Sequence, residues 1–276
     1  MPAPAVFHED ARGRVVVVDS VTHCDERTTG RDVVVAGSFA GALSLRLVLP
    51  FGLRGLVAHE AGVGKDAAGI SALPLGDALG VPVVAVATMS ARLGDGRSVL
   101  ADGVVSHANA AARALGAAPG MPAAEAGRRL LDAPPGRPRP AAAVEAAGRV
   151  ALTTPHGDVV LLASASLATA ANARDVLCVG SHGGRVNARP LLAVRPRGVI
   201  SNDGGMARDA SGADGLPVLD EAGVAAATVA ADSARIGEAE STWETGVISA
   251  VNARAAALGV AIGQPSREAA LRLLRP

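Results

Sequence analysis

The chain carries one stretch of sequence twice. Adding 143 to a residue number, from about Arg14 to Leu131, gives its counterpart without a gap, with about 45 identities in 118 positions. Gly37-Ser38 becomes Gly180-Ser181, Leu73-Pro74 becomes Leu216-Pro217, and Ser90-Ala91-Arg92 becomes Ser233-Ala234-Arg235. Abundant alanine inflates such a count. It does not explain matches at Ser, Arg, Asp, Asn and Pro at one fixed offset. The period is far longer than the roughly 20 to 50 residues of a solenoid repeat, so the unit is a duplicated domain. A fused pair of this kind is expected to pack as a pseudo-twofold dimer. The expected boundaries are a first repeat over residues 1–131, a linker over 132–148 and a second repeat over 149–276. The linker holds Pro134, Pro135, Pro138 and Pro140, with Ala141–Ala147 as a short helical turn.

Each repeat alternates short apolar runs with helical patterns. The strands of the first are expected at Val15–Ser20, Val33–Ser38, Gly55–Glu60 and Val81–Thr88. These runs are continuously apolar and β-branched, as in strands covered on both faces. Helices are expected over Ala40–Leu49, Asp66–Leu79, Ser98–Leu115 and Ala123–Leu131. Alternation of this kind predicts a three-layer αβα domain with a mainly parallel sheet. The connection Val21–Asp32 is short for a crossover helix and leaves an antiparallel first pair open.

Composition removes several functions. The formal net charge is zero, with three Phe, one Trp and no Tyr. Neither a nucleic-acid surface nor a base-stacking platform is expected. Cys24 and Cys178 fall at different points of the two repeats, which fits neither a disulfide framework nor a zinc cluster. Residues Met1–Asp10 lack a signal-peptide pattern, and no apolar run reaches the roughly 18 residues of a membrane span. The expectation is a soluble cytoplasmic protein without membrane or nucleic-acid partners, with a homo-oligomer left open.

The polar identities cluster where strands end, which is where open α/β sheets bind ligands. Three loops are involved. Gly37-Ser38 and Gly180-Ser181-His182-Gly183-Gly184 are small enough to offer backbone N–H groups to an anion. Their plainer reading is a tight turn with a serine cap. The second of them is similar to the oxyanion loop of α/β hydrolases, but no Gly-x-Ser-x-Gly elbow accompanies it. The second loop follows His59-Glu60 and Asn202-Asp203. It keeps a positive charge at Lys65 and Arg208 and a carboxylate at Asp66 and Asp209. It is neither a Walker A loop nor a dinucleotide fingerprint. Glu60, Asp203, Asp66 and Asp209 are candidate acids and bases, or helix caps and local ion pairs. His59 and Glu60 are adjacent on a strand and point apart, so they are poor joint metal ligands. No metal site is expected, although carboxylates leave Mg²⁺ open. The third loop, Ser-Ala-Arg-Leu/Ile-Gly-Asp/Glu, offers Arg92 and Arg235, whose planar forks suit carboxylate or phosphate. Their plainer role is an ion pair with Asp95, Glu238, Asp66 or Asp209. Ser106 with Asn109, and Ser249 with Asn252, are expected to share a helix face. His23, His107 and His156 have no counterpart and read as incidental.

These residues point to an enzyme of hydrolase or lyase type. It would act on a small anionic metabolite by acid/base chemistry, at the strand C-terminal rim between the repeats. The expected catalytic groups are Asp66, Asp209, Glu60, Asp203 and His182, with Ser181 or Ser38 as a nucleophile. The expected substrate contacts are Arg92, Arg235, Ser90, Ser233, Lys65, Arg208, Gly37, Gly180 and Gly183. The alternative is a non-catalytic metabolite-binding, nucleotide-binding or assembly protein using the same rim, closed by internal salt bridges.

Overall fold

The computed structural model describes residues 4–140 and 148–275. The helical turn expected over Ala141–Ala147 lies outside the described residues. The chain divides into two compact units. The first comprises residues 1–63, 68–142 and 207–209, and the second comprises 64–67, 143–206 and 210–276.

The first unit holds a six-stranded sheet of β1 (Ala5–Glu9), β2 (Arg14–Val18), β3 (Asp32–Phe39), β4 (Gly55–His59), β5 (Val83–Val86) and β6 (Val105–Ala108). The strands lie in sequence order; β2 to β5 run parallel, and β1 and β6 close the edges antiparallel. The second unit repeats this with β7 (Arg149–Thr154), β8 (Gly157–Leu162), β9 (Val176–His182), β10 (Gly198–Asn202), β11 (Ala225–Val229) and β12 (Ile248–Val251). The tandem α/β architecture is therefore present in both halves.

Side-chain alternation along the strands makes two cores per sheet. In the first unit, Val16, Val34 and Leu56 face α1 (Ala42–Val48) and α2 (Ala72–Leu79), burying Leu45 and Ala72. Val15, Val33, Val57 and Val84 face α3 (Gly96–Asp102) and α5 (Ala123–Leu130), burying Val99, Ala126 and Leu130. A right-handed crossover between parallel strands laid down in order keeps returning to one face. That is why α1 and α2 share a face and only the segments after β5 cover the other.

Three expectations need correction, and one alternative left open is resolved. The long helix over Ser98–Leu115 is broken into α3, β6 and α4 (Ala110–Ala114). Gly103 leaves the helix with extended φ and ψ, and Val104-Val105 follow as β-branched residues suited to a strand. Ser106 consequently sits on a strand and Asn109 caps a helix, so they share no helix face. The helix expected from Asp66 begins only at Ala72; Asp66 and Ala67 sit in the left-handed region at φ 53° and 56°. Finally, β2 and β3 are parallel, joined through a short 3-10 turn at Val21–His23, and the antiparallel partner of β2 is β1.

The proline-rich segment after α5 is held to the first unit. Gly136 N–H donates to Gly30 O at 2.9 Å, and Arg139 donates through its backbone to Leu49 O and through Nη2 to Leu79 O.

Candidate functional site

The strand order has no reversal, so neither sheet has the topological switch point at which doubly wound folds open a ligand crevice. The loops beyond the strand ends are instead filled by one another. A Cβ on Gly37 would lie 2.4 Å from Asp95 N and 2.6 Å from Asp19 O. Gly94 N–H donates to Gly37 O at 2.8 Å, and in the second unit Gly237 N–H donates to Gly180 O at 2.7 Å. Glycine here permits backbone against backbone. Gly183 is similarly crowded, with Thr228 Cγ2 2.7 Å from the place of a Cβ.

The serines are pins. Ser38 Oγ accepts from Val21 N at 3.0 Å and Ser181 Oγ from Ala165 N at 3.1 Å, both buried. Ser90 Oγ donates to Ala87 O and accepts from Val104 N; Ser233 Oγ donates to Ala230 O and accepts from Val247 N. His182 is buried, and its Nδ1 accepts from Gly184 N at 3.1 Å. Burial pushes the Cys24 thiol up to about 11 and the Cys178 thiol up to about 12, which removes both as thiolate nucleophiles near neutral pH.

His59 and Asn202 occupy the same place and do the same work. His59 Nδ1 accepts from Ala61 N at 2.9 Å, while Nε2 lies 3.1 Å from both Thr88 O and Ala91 O. Asn202 Oδ1 accepts from Gly204 N, and its Nδ2 donates to Ala234 O. Burial pushes the His59 pKa down, so the ring is neutral with its proton on Nε2. Asn109 Oδ1 accepts from Val83 N and Ala112 N, and Nδ2 donates to Val81 O and Leu73 O. Asn252 repeats all of these bonds in the second unit.

The loops after β4 and β10 are wound left-handed. Ala61, Gly62, Val63, Gly64, Asp66 and Ala67 have positive φ, and so do Gly204, Gly205, Met206, Ala207, Asp209 and Ala210. Each non-glycine residue so placed costs on the order of 1 kcal/mol. A β-branched residue such as Val63, at φ 59°, is a clear outlier.

This winding presents the loop charges to the arginine loops. Within the first unit, Arg92 Nη1 lies 2.9 Å from Asp209 Oδ2, and Arg208 Nη1 lies 3.1 Å from Asp102 Oδ2. Within the second, Arg235 Nε lies 2.7 Å from Asp66 Oδ2 and its Nη1 3.3 Å from Glu238. Lys65 Nζ donates to Ser233 O and Thr245 Oγ1. All four matched cations thus have partners inside their own unit.

Glu60 stands apart. Its Oε1 accepts from Thr88 N and Thr88 Oγ1, both at 2.8 Å. Its Oε2 lies 3.3 Å from His107 Nδ1, and that nitrogen lies 3.1 Å from Ser106 Oγ. Burial pushes the Glu60 carboxyl up, but the nearby Ser106 hydroxyl, the hydrogen bonds from Thr88 and the neighbouring His107 ring outweigh it. The net result is a carboxyl below its usual range. The His107 ring is about two-fifths exposed, and its Nε2 has no partner among the described residues. Sequence comparison passed over His107 because its counterpart is Ala250. The usable signal was its neighbour Ser106, which is kept as Ser249, and the acid kept at 60 and 203.

Asp203 has the reverse surroundings. It is buried, and burial pushes its pKa up despite hydrogen bonds from Ser249, Gly205 N and Ala231 N. Among the described residues, no group of three or more His, Cys, Asp or Glu is placed to hold a metal ion. No helix among them is long and apolar enough to cross a membrane. Comparison with family models, with curated proteins and with solved structures finds no match to this chain.

Proposed function

We propose that the chain is an enzyme that acts on a small anionic metabolite by acid/base chemistry, and that the first unit does the work. The observation carrying this reading is the Glu60–His107 pair. Ser106 Oγ gives its own hydrogen to Ala85 O, so at 3.1 Å it accepts from Nδ1, and with the Glu60 carboxylate 3.3 Å away it favours the tautomer that leaves a lone pair on Nε2; the carboxylate stabilises the imidazolium formed when Nε2 takes a proton. His107 Nε2 is the general base, and Glu60 orients it. Arg92 supplies the anion contact. Its pair with Asp209 is largely exposed, and such pairs contribute at most about 1 kcal/mol. A substrate carboxylate or phosphate can therefore replace Asp209. Hydrolysis and elimination both need such a base; neither needs a redox cofactor.

One observation favours a second reading, a non-catalytic binding or assembly protein. Arg92, Arg208, Arg235 and Lys65 all have partners inside their own units. In that case the arginines hold the left-handed loops in place and do nothing more.

A thermal-shift panel of phosphates and carboxylic acids, followed by turnover of each stabilising compound, separates the two. A ligand of the native state raises the melting temperature by mass action. The enzyme reading requires an anion that stabilises the wild type but not Arg92→Ala. It also requires turnover of that anion to fall at least about a hundredfold in His107→Ala with binding retained. If no anion stabilises the wild type and the arginine variants only melt lower, the second reading stands.

A further inference from the structure

The second unit contains a cleft of about 490 Å³ lined by Met206, Leu216, Pro217 and Val251, with Asp214 and Asp220 in its wall. It lies where the repeats differ in bulk. Ala250 stands at the position of His107, and Ala213 at the position of Ile70. Both exchanges remove side-chain volume from the second repeat. The left-handed backbone at Met206, φ 61°, sets that side chain in the cleft wall with more than a third of its surface exposed.

The lining is mainly apolar, includes two carboxylates and contains no basic side chain. Asp220 Oδ1 accepts from Arg254 N, while the Arg254 guanidinium is turned to Asp220 O. Asp214 Oδ1 accepts from Arg185 N at 2.8 Å, and its other oxygen lies 3.6 Å from Arg185 Nε. The size suits a small molecule, and the charge suits a cation. We propose that this cleft is a binding site for a small amphiphilic amine. The alkyl part lies on Met206, Leu216 and Val251, and the ammonium faces Asp220. This ligand is opposite in charge to the metabolite assigned to the first unit, and the site does not depend on that assignment.

The test is a titration of the full chain, labelled at its methionine methyl groups, with hexylamine, hexanol and hexanoate. Met206→Leu identifies the reporting signal. Hexylamine is expected to shift the Met206 methyl saturably, at least about threefold more tightly than hexanol, with hexanoate weaker still. Asp220→Asn should remove the preference for the amine. Ala250→His and Ala213→Ile, which restore the first repeat's bulk, should each abolish the shift while leaving the melting temperature near that of the wild type. Two filling variants are named so that a failure of one to fold leaves the other to decide. A Met206 signal that hexylamine leaves unmoved overturns the site. Equal binding of hexanol or hexanoate overturns the cation preference, and unchanged binding in a folded filling variant overturns the location.

Discussion

At the ends of β4 and β10 the two repeats place a carboxylic acid at matching positions and surround it differently. Glu60 accepts from Thr88 N and Thr88 Oγ1, lies 3.3 Å from His107 Nδ1 and has the Ser106 hydroxyl nearby. At the second place the threonine is Ala231 and the histidine is Ala250, and Asp203 is left with Ser249 and two backbone N–H groups. One site holds an anion comfortably; the other holds it at a cost. The loss of the threonine hydroxyl and the histidine, the shorter acid and the added charge of Asp232, at the position of Met89, together reverse the direction in which the surroundings leave the carboxyl group. Ala250, at the position of His107, also lines the cleft of the second unit.

Substitutions that act equally in both repeats give the baseline, and they carry the largest effect. Asn109→Ala and Asn252→Ala each strip four hydrogen bonds from buried backbone, and each should destabilise by about 2–4 kcal/mol in denaturant titration. A large inequality between them would show that the repeats differ in rigidity as well as in polar surroundings.

The acids should then part company. Glu60→Gln is expected to lower stability at neutral pH by roughly 1–2 kcal/mol, because it removes a hydrogen-bonded anion. The folded pKa of Glu60 is lowered, so its contribution is present above the ordinary carboxyl value and is lost as pH falls through the lowered one. Asp203→Asn should be neutral or stabilising at pH 7. The folded pKa of Asp203 is raised, so its contribution is full below the ordinary value and is lost as pH rises through the raised one. Melting curves of both variants from pH 3 to 8 would break the comparison if their pH dependences ran in the same direction.

Smaller effects sharpen it. Arg92→Ala and Arg235→Ala should each cost no more than about 1 kcal/mol and lose most of that effect in high salt, as exposed pairs do. A salt-insensitive loss above that size would mean that the arginines brace the left-handed loops by packing.

Much of the fold was legible because periodicity and duplication speak directly to layers and strands. The edges were not. β6 is four residues long and lies within a stretch rich in alanine, where helix propensity hides Gly103 and the strand after it. The left-handed loops were invisible for a related reason: glycine announces positive φ, but Val63, Met206 and Ala207 do not. At the candidate site, identity between repeats was a good guide to structural residues such as Asn109, Asn252 and the pinned serines. It was a poor guide to His107. The role proposed for His107 belongs to one copy only and leaves no repeated residue, so it is suggested by proximity to Glu60 and not by matching.

The unbroken strand order has a consequence for how the chain is made. Strands that are neighbours in each sheet are also neighbours along the chain, so a parallel strand leaving the ribosome docks on a partner synthesised shortly before it. β6 and β12 come last in their sheets, and each covers an edge that stays open until it arrives. A stalled or truncated product would end on a bare parallel strand, β5 or β11, ready to pair with another nascent chain. In the finished sheets the edge is instead β6 or β12, a strand of four residues, and so short an edge offers little template for pairing.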